Sequence, residues 1–429
     1  MKVVLSYGKA GLEVDLPENL DITIARPKDQ GKLDDPANAI KSAIDNPLDC
    51  VKIEDLVSKC GKKEPTACIV ISDHTRPVPS KLILSPILET LEKAGIPTSH
   101  ITILVATGLH RGSTDQELER MVGSVILNTY KIINHDAKDL NQLRSIGKSR
   151  FDVEALINKN FLDADIKIIT GYTDPHFFAG FAGGRKAIVP GIAGEKTIMG
   201  NHSVQKISSD TTRFLVLEGN PLHEESLEIA KLAGVDFVVN VCLNAQHEII
   251  AVAAGDLESA HSKLVNFMKG NVVLEIDDLY DIVVVNNGGY PLDLNLYQSV
   301  KSMAIGELAV KEGGIIIATN ELSDGFGSKK FKEIIEKEGD PTKLIQKLVR
   351  GELKVESQWQ VQILARILQK SEIFIVSSMP ISSYDNVRIG LQVKENFKQA
   401  IESAIDKVGN NAKILILPAG PQLIPIFKK

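Results

Sequence analysis

Cysteine is scarce in this 429-residue chain, and Cys50, Cys60, Cys68 and Cys242 form no Cys-x-x-Cys pair. That excludes a thiolate zinc site and a disulfide framework and points to a reducing, cytoplasmic setting. Any metal must then rely on histidine, carboxylate or atoms that a cofactor brings. No lysine- and arginine-rich run stands out and the formal net charge is −6, which argues against a nucleic acid or an anionic membrane as partner. No apolar run is long enough to span a bilayer, and the opening Met1–Gly8 turns polar too soon for a signal peptide. Nucleotide signatures are missing too. Gly184 is followed by Arg185, and Lys186 by Ala187, so the Gly-Lys-Ser/Thr of a phosphate loop is not there. Nor does a Gly-x-Gly-x-x-Gly open a helix after the first strand. A phosphate could still rest on backbone N–H groups of these loops.

What the chain does have is alternation. Short β-branched runs recur at Cys68–Ile71, Ile101–Val105, Ile166–Ile169, Asp281–Val285, Gly314–Ile317, Ile373–Val376 and Ile414–Leu417. Helical patterns separate them: one opening at Ser85-Pro86 with Ile87, Leu88 and Leu91 on one face, and one at Thr114 with Glu117 at capping-box spacing. Arg26–Asn46 reads as a loop and a short helix. Strands apolar on nearly every residue indicate parallel sheets covered on both faces. The expected fold class is α/β, with two α/β domains of mainly parallel sheets and an active-site cleft between them. A seam near Gly270–Asp278 gives an N-terminal domain over 1–275 carrying the cofactor site and a C-terminal domain over 276–410 closing over substrate. The last strand and tail, 411–429, could complete either.

Unusual residues follow strand after strand, where open α/β sheets bind ligands. They are Ser72-Asp73-His74-Thr75-Arg76, Thr107-Gly108-Leu109-His110, the stretch from Thr170 through His176, Gly183-Gly184-Arg185-Lys186 to Gly200-Asn201-His202, and Asn286–Asp293 leading to Tyr297-Gln298-Ser299-Val300-Lys301. Each has a bland reading. Asp73 and Thr75 could cap a turn, His110 could be a solvent-facing loop residue, and His176 could be a satisfied core histidine. His202 could begin a helix, the Gly183–Lys186 run could be a tight turn, and Gln298 and Lys301 could share a helix face at i and i+3. Joint placement after strands lowers the odds that all of these hold. A lysine between imidazoles suggests a covalent cofactor, a metal, or both. On the residues alone, a phosphotransferase, a metal-dependent hydratase or sugar-acid enzyme, and a non-catalytic carrier of nickel or nucleotide stay open.

Taken together, Ser72–Pro77, Thr107–His110, Pro175–Lys186, Gly200–His202, Tyr297-Gln298-x-x-Lys301 and Gln358-Trp359-Gln360 resemble the nickel-dependent lactate racemase family over nearly the whole chain. The resemblance implies a racemase of lactate or a similar 2-hydroxy acid, working by hydride transfer through a 2-keto acid. A larger substrate, such as malate, phenyllactate or a sugar acid, remains open. It further implies a nickel-pincer nucleotide, the pyridinium-3-thioamide-5-thiocarboxylic acid mononucleotide with Ni(II), joined covalently to Lys186 and supplied by cofactor-synthesis enzymes. His202 matches the protein ligand of nickel, with Gly183, Gly184 and Asp73 also at the cofactor. His110 and His176 match the alternating acid/base pair. Arg76, Tyr297, Gln298, Lys301 and Trp359 match substrate-binding positions.

The chemistry agrees. A Cα–H beside a carboxylate is barely acidic, so removing hydride is easier than removing a proton. Two histidines can then manage the hydroxyl proton of the two enantiomers, and arginine can hold a carboxylate at two points. Nickel's taste for planar N,S ligation suits a sulfur pincer plus one imidazole.

Overall fold

The computed structural model describes residues 1–17, 20–28 and 30–428. The chain divides into two compact units, one of Gln30–Gly270 and one of Met1–Asp29 with Asn271–Lys429.

The first unit is built on a six-stranded sheet. Its order is Ile249–Gly255, Phe237–Leu243, Ile166–Tyr172, Ala67–Ser72, Ile101–Ala106, Lys131–Asn134. All neighbours are parallel except the Phe237–Leu243/Ile249–Gly255 pair. In chain order, the sheet runs outward from Ala67–Ser72 to one edge, then returns to its other side with Ile166–Tyr172. The strand order therefore reverses between these two strands, and their carboxyl ends flank a switch-point crevice. Ile69, Ile71, Ile103, Val105 and Ile168 are fully buried against Ile83, Ile87 and Leu91. Burying each such side chain contributes roughly 1.5–3 kcal/mol, so this face fixes the register of the whole sheet.

Two local expectations meet the structure differently. The Thr114–Glu117 capping box forms in full at the helix Asp115–Val122. The helix expected to open at Ser85-Pro86 instead runs Ser80–Lys93, with Pro86 in its interior. A proline there forfeits a hydrogen bond to the carbonyl four residues back, that of Leu82. Leu82 is an exposed residue, so water can serve that carbonyl, while Ser85 Oγ donates to Lys81 O at 2.8 Å. Extending the helix backwards also buries Ile83 and Leu84, which outweighs the lost bond. Of the stretch Arg26–Asn46, Asp29 lies outside the described residues; the expected helix is Pro36–Asp45.

The second unit has a wholly parallel six-stranded sheet in the order Leu391–Lys394, Glu372–Val376, Val310–Thr319, Tyr280–Val285, Lys413–Ile416, Asp21–Ile24. Its division from the first unit falls at Gly270/Asn271, within the expected seam but ahead of 275/276. Residues 1–29 and 411–429, assigned or offered to the N-terminal domain from sequence, lie here. The cause is strand pairing: Asp21 to Ile24 align with Lys413 to Ile416, and Val273–Ile276 pairs with Ile424–Phe427. The hairpin Lys2–Leu5/Leu12–Asp15 adds Leu5 and Val14 to the same core. Among the described residues no helix is long and apolar enough to cross a membrane.

Candidate active site

Asp73 leaves the carboxyl end of Ala67–Ser72 buried, 3% exposed. Its Oδ1 accepts the Thr75 amide at 3.1 Å and the Thr75 hydroxyl at 2.6 Å. Its Oδ2 lies 2.6 Å from His110 Nδ1. Burial alone would raise the carboxyl's pKa. The charge and hydrogen bond of His110, with Arg76 and Thr75, outweigh it and hold the group far below the usual carboxylate range. Asp73 is thus ionised at neutral pH. The sequence resemblance puts Asp73 at the cofactor; its carboxylate is in direct contact with the His110 ring. Arg76 NH1 donates to the Thr75 hydroxyl at 2.7 Å and to Thr75 O at 3.2 Å.

Across the switch point, the strand Ile166–Tyr172 leads into a tight fold-back in which Pro175–His176 pairs antiparallel with Gly180–Phe181. The fold-back lets the Ala179 N–H donate to His176 Nδ1 at 3.3 Å. A short 3₁₀ turn, Gly184–Ala187, then presents Lys186, whose Nζ lies 3.3 Å from His176 Nε2. Burial of the amine, then the charges of Arg185 and Arg76, push the Lys186 pKa well below its ordinary value. A lowered pKa makes the unprotonated, nucleophilic form of the amine easier to reach. Phe178 ties this group together. Its ring centroid is 4.5 Å from that of His176, 5.1 Å from that of His202 and 5.4 Å from Lys186 Nζ. Through Arg76, whose charge acts on both Asp73 and Lys186, the His110 and His176 groups form one electrostatic neighbourhood.

Gly183 and Gly184 have positive φ, 82° and 52°. A Cβ at Gly183 would lie 2.8 Å from Thr173 Oγ1 and 2.9 Å from Tyr172 O, and one at Gly184 would meet the His261 ring at 3.2 Å. Close packing within the protein therefore accounts for both glycines, which set the path of the turn that carries Lys186.

His202 is the C-cap of the helix Glu195–Asn201, not the opening of a helix as its bland reading had it. It is 4% exposed. Burial and the nearby Lys186 charge push its pKa down to about 3, so the ring is neutral, the form that binds metals. Between that value and the ordinary 6.5 the unfolded chain takes a proton that the folded chain refuses. Stability therefore falls as pH falls through this window. From pH 7 to pH 5 the wild-type apoprotein is expected to lose about 2 kcal/mol more than His202→Gln. Urea unfolding at both pH values measures it, and equal losses would refute the assignment.

Can the protein alone hold a metal? Among the described residues no group of three or more His, Cys, Asp or Glu side chains is arranged to do so. One neutral imidazole suits a metal whose other ligands come from an organic group. Thr173 Oγ1 and both amide atoms of Asn240 are buried without a hydrogen-bond partner. Thr173 lies just past Ile166–Tyr172 and Asn240 within Phe237–Leu243 opposite Gly171; unmet polar atoms there fit a polar ligand.

In the other unit, the helix Leu296–Glu307 begins at the Asn295 N-cap, whose side chain accepts the Gln298 amide at 3.0 Å. Lys301 Nζ donates to Gln298 Oε1 at 2.6 Å, realising the i, i+3 relation. Trp359 Nε1 donates to Tyr297 Oη at 2.9 Å, and Gln360 Nε2 donates to Tyr297 O. Tyr297 and Trp359, and Gln298 and Lys301, are thus joined in pairs, with Tyr297, Gln298 and Lys301 on the helix Leu296–Glu307.

Sequence reasoning passed over Glu225 and Lys206. The helix Pro221–Ala233 buries Leu222, Glu225, Ser226, Ile229, Ala230 and Ala233. A carboxylate on the apolar stripe of an amphipathic helix was the available signal.

Comparison with known proteins places these features. The family profile described as the lactate racemase N-terminal domain matches residues 7–213, and that of the lactate racemase C-terminal domain matches 277–424. The chain is 36% identical to a lactate racemase of Thermoanaerobacterium thermosaccharolyticum over 427 residues, 98% of each chain. It is 37% identical to a lactate racemase of Lactiplantibacillus plantarum over 383 residues, 89% of each. The structure of the Thermoanaerobacterium lactate racemase apoprotein superposes with a TM-score of 0.88 at 33% identity, covering all of both chains. A Thermotoga maritima protein shares the fold, with a TM-score of 0.71 at 19% identity over 91% of this chain and 98% of that one.

Proposed function

Because the chain belongs to the lactate racemase family, we propose that it interconverts D- and L-lactate at the switch point of its first sheet. The observation that carries this reading is the complementary setting of its two histidines. His110 Nδ1 faces the Asp73 carboxylate, which fixes the proton on Nδ1 and leaves Nε2 as the basic nitrogen. His176 Nδ1 accepts the Ala179 amide, which leaves Nε2 as the nitrogen that exchanges a proton with substrate. A racemase needs two such rings: one, neutral, takes the hydroxyl proton of one enantiomer, and the other, entering as the imidazolium, returns a proton to form its mirror image. After turnover the two rings have exchanged roles, which serves the reverse reaction.

Lys186 would carry a nickel-pincer nucleotide through its side-chain amine, and His202 would give nickel its protein ligand. When bound, that cofactor supplies the acceptor for the Cα hydride, so lactate passes through its planar 2-keto acid. Arg76 holds the substrate carboxylate through a fork steadied by Thr75. Lys301 and Gln298, a cation with an amide aligned on it, have carboxylate-binding chemistry, and the Tyr297–Trp359 pair walls that group. Cofactor-synthesis enzymes are the partners this function requires.

L-Lactate deuterated at Cα is the test, run on holoprotein with chiral and mass detection beside malate and phenyllactate. D-Lactate that retains the deuterium is expected. Solvent hydrogen at Cα would overturn hydride transfer, and no interconversion of lactate would overturn the substrate.

A further inference from the structure

His202 directly follows two residues that are held from behind by a buried ionic knot. At its centre is Glu225, fully buried. Its Oε2 accepts Asn201 Nδ2 at 2.8 Å and Lys206 Nζ at 2.5 Å, and its Oε1 accepts Ser149 Oγ at 2.6 Å. Lys206 Nζ also donates to Gly200 O at 3.1 Å and stands 4.7 Å over the Phe151 ring. Asn201 Nδ2 reaches Leu222 O at 3.3 Å, and Ser226 Oγ reaches Asn201 Oδ1 at 3.4 Å. Both carboxylate oxygens are thus engaged, and the polar contacts converge on Gly200 and Asn201, the last residues of the helix that His202 caps.

A buried ion pair is an expensive way to gain stability, since well-packed apolar residues of the same volume often do as well or better. Fixing geometry is the better-attested use. A ring that must meet a metal within a few tenths of an ångström needs its backbone fixed, and Phe178 braces His202 only through an edge-on ring contact.

We propose that Glu225, acting through Asn201 and Lys206, is the positioning residue that aims His202 at nickel. The inference rests on the reading of His202 as the nickel ligand. Its strength lies in where the knot ends. A knot serving only to fasten the helix Pro221–Ala233 had no need to bind the side chain one residue before that ligand and the backbone carbonyl two residues before it.

The experiment uses holoprotein made with the cofactor-synthesis enzymes, as wild type, Glu225→Gln, Glu225→Asp and Glu338→Gln. The last breaks a partly buried ion pair with Lys347 in the other unit. Nickel content is followed during dialysis against a chelator, the Lys186 adduct is weighed by intact mass, and Tm is recorded. Glu225→Gln is expected to lose nickel about 10- to 100-fold faster than wild type with the adduct unchanged, and Glu225→Asp to fall between them. Glu338→Gln should keep nickel at the wild-type rate even where its Tm drops. Should Glu225→Gln not fold, Ser149→Ala removes one of the bonds and should show the same split in smaller measure. Wild-type nickel retention in the Glu225 variants, or nickel and adduct lost together in step with Tm, overturns the inference. A wild-type chain without adduct on Lys186 overturns the proposed function instead.

Discussion

Lys186→Met is expected to yield a folded chain that gains no mass from the cofactor-synthesis enzymes and racemises lactate no faster than background. That is a loss on the order of 10⁶-fold, the scale reached when a covalent group that works as one unit with its partners is removed. Methionine suits the test because burial and the charges of Arg185 and Arg76 already disfavour a charge at this position. A neutral, flexible side chain of similar length preserves that balance and the contact with Phe178. Lys186→Arg makes the companion. A guanidinium cannot lose its proton, so it offers no nucleophile and adds a fixed charge beside Arg185. The arginine variant should therefore also lose stability, while both variants lose the adduct. Intact mass and chiral chromatography read the outcome. Appreciable racemisation by an adduct-free Lys186→Met would sink the covalent attachment and the mechanism built on it.

The next largest effect is expected from an isosteric change that touches no substrate. Asp73→Asn should lower kcat/KM by about 10²- to 10⁴-fold, up to the cost of losing the base itself, with the adduct and nickel in place. An amide can turn its nitrogen toward His110 Nδ1 and donate to it, which drives the ring proton onto Nε2 and removes the base. His110→Asn, which removes the ring itself, should cost about 10²- to 10⁴-fold. Because L- and D-lactate have equal free energies, kcat/KM must fall by the same factor in both directions. That equality binds every variant, so the discriminating reading is the split of kcat from KM: a lost acid/base group lowers kcat, whereas a damaged binding pocket shows mainly in KM. An Asp73→Asn enzyme within about threefold of wild type would leave His110 without the orienting partner that the 2.6 Å contact assigns to it.

Much of this could be read before any coordinates. The apolar strands and the Thr114–Glu117 box are local: their patterns need only a few neighbours, so periodicity and spacing reveal them. The order-reversing pair Ala67–Ser72 and Ile166–Tyr172 was partly legible, because polar residues after each strand marked the ligand-binding end. What escaped depends on contacts far apart in sequence. The pairing of Asp21–Ile24 with Lys413–Ile416 leaves no trace in either segment. The Ser80–Lys93 helix runs through Pro86 because tertiary burial of Ile83 and Leu84 overrides a local stop signal. Asp73 was recognised by type, but its partner lies after a different strand. Glu225 was legible in principle, since it falls on a stripe otherwise made of Leu222, Ile229, Ala230 and Ala233; acidic neighbours at Glu224 and Glu228 disguised it as surface.

The pairing of Asp21–Ile24 with Lys413–Ile416 also sets an order of events on the ribosome. Synthesis runs from the amino end, so residues 30–270 have all emerged before the partner of the earliest parallel strand is made. The insert can close its own sheet, and with it the Lys186 turn and the His202 cap, while Asp21–Ile24 still waits as an open edge. Its host is finished only when the last strands arrive, so the unit encoded in the middle is the first that can be whole.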